Sequence, residues 1–99
     1  MNGSTTWTVP NGLPAFAGHF PGRPIVPGVM LLDRLLGCVS AQHGRGVAGF
    51  AVAQAKFFSP VGPGETLDFS WYATDGGAIR FDIAAGGRAV ATGLLMPPS

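Results

Sequence analysis

Charge is scarce in this sequence. Only 11% of its 99 residues are Asp, Glu, Lys or Arg, six basic against five acidic. The basic residues, Arg23, Arg34, Arg45, Lys56, Arg80 and Arg88, stand singly along the chain, which excludes the clustered footprint of a nucleic-acid binder. A hydrophobic share of 46% beside so little charge predicts that a partner covers part of the surface. A chain of this size also buries a smaller fraction of its surface than a larger one, so a homodimer is expected. Cysteine is almost missing. Cys38 alone leaves no intrachain disulfide, suits a reducing compartment and, inside an apolar run, reads as a buried thiol and not a nucleophile. Long apolar runs are missing too: Asp33 and Arg34 interrupt the longest, so no membrane span is expected. Met1-Asn2-Gly3-Ser4 lacks the basic start of a signal peptide, and the cytoplasm is the expected location. Metal-ligand spacing, a phosphate-binding glycine loop, a Gly-x-Ser-x-Gly elbow and internal repeats are all lacking, so neither metal nor cofactor is expected.

What is present is concentrated between Gly18 and Asp33, in Gly-His-Phe-Pro-Gly-Arg-Pro-Ile-Val-Pro-Gly-Val-Met-Leu-Leu-Asp. Six of the eleven residues from Gly18 to Gly28 are Gly or Pro, which gives a loop held by restricted backbone angles and not by a hydrogen-bond ladder. Such a loop fixes His19. At Gly28 the prolines stop and a helical run starts, with Pro27 before it and a bare backbone at its first free N–H groups. Asp33 lies inside the apolar run of that helix. An unpaired carboxylate there costs several kcal/mol by typical transfer values of roughly 2–7 kcal/mol, and adjacent helix positions do not face each other, so Arg34 is not its expected partner. Arg34 is expected to reach solvent or an acidic partner. An acid held in an apolar wall keeps its proton more readily, which suits donation to a leaving group. His19 and Asp33 are therefore the candidate acid/base residues. The backbone N–H groups of Gly28 and Val29 are candidates to hold a carbonyl that gains charge, with Phe20 and Pro27 beside them as substrate contacts. His43, near the helix C-terminus, needs no catalytic role.

One domain, residues 1–99, is expected. Thr5–Val9 is a short first strand, ended by Pro10-Asn11-Gly12. From Val29 to about His43 the apolar residues occupy nearly every side of the helix, which predicts a helix wrapped by a sheet. Val47–Phe58 is a long strand candidate with Ala51, Ala53 and Ala55 on one face. Leu67, Phe69, Trp71 and Ala73 alternate with Thr66, Asp68, Ser70 and Tyr72 in the next strand. Asp75-Gly76-Gly77 joins it to a strand around Ile79, Phe81 and Ile83, and Gly86-Gly87 leads to a last strand from Arg88 to Met96. Periodicity alone gives an α+β domain with a meander of strands.

The string from Gly18 to Asp33 resembles the loop and central helix of the β-hydroxyacyl-acyl carrier protein dehydratases. A second stretch, Ala55-Lys56-Phe57-Phe58-Ser59-Pro60-Val61-Gly62-Pro63-Gly64-Glu65-Thr66-Leu67, resembles that family's second signature, a strand ending in Pro followed by a Pro-Gly turn. The resemblance implies a single hotdog: a curved antiparallel five-stranded sheet wrapped around one central helix. It implies dehydration of a 3-hydroxyacyl thioester on acyl carrier protein to the trans-2-enoyl thioester, with no cofactor, in fatty acid or polyketide synthesis. His19 then removes the C2 proton and Asp33 serves as the acid, facing each other across a two-fold dimer. The family carries Glu or Asp at the acid position, and Asp is that of its dehydratase/isomerase branch, so isomerisation stays open. Arg23, Arg34, Arg45 and Arg88 are candidate contacts for an acidic carrier. Two departures stand out: little chain precedes the loop, and Gly37 replaces a frequent glutamine four residues after the acid. The compact form is similar to small dehydratases of polyene-type pathways. Two rivals are a hotdog acyl-thioesterase, which needs no Gly-His-Phe-Pro-Gly loop, and a non-catalytic acyl-carrier-binding subunit, which needs no His19 and Asp33 together.

Overall fold

A computed structural model describes residues 2–13, 24–44 and 49–97. Five strands form one antiparallel sheet, and one helix lies on it. The strands are β1 (Gly3–Thr8), β2 (Ala51–Phe57), β3 (Thr66–Ala73), β4 (Ile79–Ala85) and β5 (Arg88–Met96), and α1 is Gly28–His43. Their order across the sheet is β1-β3-β4-β5-β2, so β3, β4 and β5 form the expected meander and β1 and β2 are its edges.

Period-two patterning sets the central strands. In β3, Leu67, Phe69 and Trp71 are buried while Asp68, Ser70 and Tyr72 are exposed; in β4, Ile79, Phe81, Ile83 and Ala85 are buried. Both of the outer joints of β5 are irregular. Ile83 pairs with Ala91 but Ala84 with Ala89, so Val90 is an extra residue and both Val90 and Ala91 face inward. A second shift between Val52 and Gln54 leaves Ala53 extra in β2. Bulges of this kind bend the strand and increase its twist, which curves the sheet toward the helix.

Four expectations change here. The first strand runs from Gly3 to Thr8, because its pairing from Gly3 opposite Trp71 to Thr8 opposite Thr66 fixes the limits; Val9 instead turns inward and donates its N–H to the Glu65 carbonyl at 2.8 Å. β2 starts at Ala51, since Gly49 has φ 82°, a left-handed conformation that ends an extended strand. The bulge at Ala53 also breaks the expected alanine face, and Val52 and Ala55 are the residues that pack on the core. Finally, α1 is not wrapped all round. It buries one stripe, Leu31, Leu35 and Val39, spaced four apart, while Val29 is 74% exposed.

Candidate active site

The helix begins without a side-chain cap. Pro27 stands before it, and its carbonyl accepts the N–H groups of Met30 at 3.0 Å and Leu31 at 3.3 Å. Among the described residues nothing accepts the N–H groups of Gly28 or Val29. Gly28 has no room for a side chain: a Cβ there would lie 2.8 Å from the Phe57 ring. Beside it opens an apolar groove of about 500 Å³ whose walls include Ile25, Val26, Leu31, Phe57, Phe58 and Val61. Phe57 and Phe58 remain about half exposed, at 47% and 54%. A helix start with unpaired donors, its Gly28 lining an apolar groove, can hold a carbonyl oxygen whose attached chain is hydrocarbon.

Asp33 is exposed, not set in an apolar wall. It lies two positions from both Leu31 and Leu35, about 200° around the helix from the stripe that meets the core. The apolar neighbours that suggested burial, Val29 and Met30 among them, are themselves exposed or only partly covered. Asp33 lines a smaller groove with Trp7, Leu13, Met30 and Arg34. Gly28 and Asp33 are about 140° apart on the helix, and among the described residues they line separate grooves. His19 and Phe20 lie outside the described residues. Pro27 is partly covered at the helix start.

Other candidates fall into place. Arg34 is neither free nor paired with an acid; its guanidinium carbon lies 4.4 Å from the centre of the Trp7 ring, a cation–π contact. Arg88 is likewise occupied, bound to Glu65 at 2.8 Å. Arg23 and Arg45 lie outside the described residues. His43 is structural: its Nε2 accepts the Trp71 indole N–H at 3.0 Å, and the rings meet edge to face. Cys38 is half-buried, because it too lies off the core-facing stripe.

Glu65 was not expected to matter. Its Oε2 accepts the Gly62 N–H and its Oε1 the Arg88 guanidinium, both at 2.8 Å. The Gly62 bond chiefly, helped by Arg88, holds the carboxyl below its ordinary range against the opposing effect of burial. Phe57, Phe58 and the Ser59-Pro60-Val61 wall were also passed over as groove residues. Their signal was available: two aromatics followed by Ser-Pro, at the end of an edge strand, inside the second signature.

The family model of the ApeI-like dehydratases matches residues 2–94. The 3-hydroxyacyl-acyl-carrier-protein dehydratase FabZ of Chlamydia trachomatis is 37% identical over 95 residues, covering 83% of this chain and 62% of its own. The FabZ of Roseiflexus sp. is 34% identical over 90 residues, covering 84% of this chain and 57% of its own. The chain thus spans about three fifths of the length of the curated relatives it matches. Among solved structures, the dehydratase heterocomplex ApeI:P from Xenorhabdus doucetiae superposes with a TM-score of 0.79 at 21% identity, over 96% of this chain and 85% of that one. The (R)-hydratase from A. caviae involved in PHA biosynthesis does so with a TM-score of 0.66 at 18% identity, over 99% and 95%. At these identities the likeness is one of fold, and the fold is the expected single hotdog. Among the described residues no helix is long and apolar enough to cross a membrane.

Proposed function

This chain belongs to the ApeI-like dehydratase family, and from that premise we propose that it removes water from a (3R)-3-hydroxyacyl thioester on acyl carrier protein to give the trans-2-enoyl thioester. The observation that carries this reading is the uncapped start of α1, where the N–H groups of Gly28 and Val29 are free among the described residues and Gly28 lines an apolar groove. In the proposed mechanism those N–H groups hold the thioester carbonyl while His19 takes a proton from C2, so the oxygen gains charge where the donors point. Asp33 then gives a proton to the departing C3 hydroxyl, which leaves as water. The bond electrons balance without a redox partner: the C2–H pair becomes the double bond as the C3–O pair departs. The enzyme works as a homodimer in the cytoplasm, with Asp33 of one chain meeting His19 of the other. The exposure of Asp33 supports that arrangement, because an acid facing outward from its own chain needs a second chain to form an enclosed site.

A 3-hydroxyacyl-carrier substrate, incubated with the chain and weighed by mass spectrometry, tests the reading. Loss of 18 mass units, that of one water by the stoichiometry above, is the expected product. Release of the whole acyl group would instead make it a thioesterase, and an unchanged substrate that still binds would make it a carrier-binding subunit.

A further inference from the structure

One wall of the groove at Gly28 has no regular secondary structure. It runs from Phe58 to Val61, between the end of β2 and the turn into β3. A loop wall keeps one shape only if its polar groups are tied down. Arg88, the first residue of β5, does much of this: its Nη2 donates to the Pro60 carbonyl at 3.0 Å and to Glu65 Oε1 at 2.8 Å, and its Nε to Ser59 Oγ at 3.1 Å. The Ser59 hydroxyl donates onward to the Ala89 carbonyl at 2.8 Å. From the other side Glu65 takes the Gly62 N–H. Beyond the clamp, the Val61 carbonyl accepts the Val26 N–H at 2.8 Å, two residues before Gly28. The bonds therefore run without a break from Arg88, through the loop wall, to the chain that leads into the helix N-terminus.

Stability alone is a poor reason for this arrangement. The Arg88 and Glu65 side chains are 46% and 31% exposed, and pairs so open to water add little to folding. What the planar guanidinium fork supplies is direction, since it fixes several acceptors in one geometry.

We infer that Arg88, Glu65 and Ser59 are positioning residues for the acyl groove, setting its loop wall against the helix N-terminus and so deciding how firmly the far part of an acyl chain is held. None of the three touches the reacting atoms. The inference rests on the acyl-groove reading above. A chain whose carbonyl sits at Gly28 meets Phe57 first, and only its later carbons reach the wall that Arg88 anchors.

Non-hydrolysable pantetheine amides that keep the carbonyl and carry an ethyl or an octyl chain on it, titrated calorimetrically into the full chain, test this without turnover. Arg88→Gln is expected to weaken the octyl compound about tenfold, as for two methylenes losing their contacts, and the ethyl compound less than about twofold. Arg88→Lys, which keeps charge but not the fork, falls between. The double variant Arg88→Gln/Glu65→Gln is no worse than the single one, because both break one clamp. In turnover, KM for an eight-carbon substrate rises while kcat holds. Octyl affinity unchanged in Arg88→Gln, or an equal loss for both lengths with a fallen thermal midpoint, overturns the clamp. A wild-type chain that binds the octyl compound and releases no water overturns the dehydratase reading and leaves the clamp to be judged on affinity.

Discussion

Asp33 and Glu65 are both carboxylates next to arginine in space or in sequence, yet their surroundings give them opposite duties. Glu65 is held by Gly62 and Arg88 and kept ionised. Asp33 has no partner among the described residues, because Arg34 lies over Trp7 instead. Asp33→Asn and His19→Ala are each expected to cut dehydration by roughly 10²–10⁴-fold, the usual contribution of a positioned acid or base, with unchanged circular dichroism. Turnover near wild type in either variant would strip that residue of its role. Glu65 gives a pH prediction with a definite sign. Its folded-state pKa is depressed, so its stabilisation is present above the unfolded value of about 4.3 and disappears as pH falls through the folded value. Glu65→Gln should therefore cost about 0.2–1 kcal/mol at neutral pH, the scale of exposed pairs, with the gap to wild type closing in melts taken below about pH 4. A gap that stays constant down to pH 3 would contradict it.

Among the elements, those whose patterning is enforced within one chain were legible in the sequence. β3 runs from Thr66 to Ala73 and β5 from Arg88 to Met96, as read, because alternation and the Gly76 and Gly86-Gly87 turns leave one solution. The helix was placed to within a residue, but its surroundings were not. Apolar residues on every side of a helix say that it is covered, and they do not say by which chain. Only Leu31, Leu35 and Val39 are fully buried in their own core, with Met30, Leu32, Leu36 and Cys38 partly buried against it. Leu35→Ala is accordingly expected to destabilise by about 2–5 kcal/mol, the range for a fully buried leucine, when unfolding is followed by urea at fixed protein concentration. A loss under about 1 kcal/mol would mean that the stripe is not the packing face. Of the candidate site, the uncapped helix start at Gly28 and Val29 was legible because a Pro-Gly start is a local signal, whereas the apolar run around Asp33 suggested a burial that the fold does not give it. The groove wall from Phe57 to Val61 and its clamp were missed, since the clamp joins residues up to 30 apart through hydrogen bonds that no local pattern displays.

For the whole molecule, the exposed side of α1 and the sparse charge point the same way. Val29, Asp33, Gly37 and Ser40 all lie on the face that its own sheet leaves uncovered. If a second copy covers that face, each dimer holds two sites, each built from the His19 of one chain and the Asp33 of the other. Co-refolding inactive His19→Ala with inactive Asp33→Asn in equal amounts measures this most directly. In a mixed dimer one site collects both defects and the other is intact, and half the dimers are mixed. Recovery of about a quarter of wild-type dehydration, with mixed dimers seen by native mass spectrometry, is the predicted result; mixed dimers with no recovered activity would contradict it.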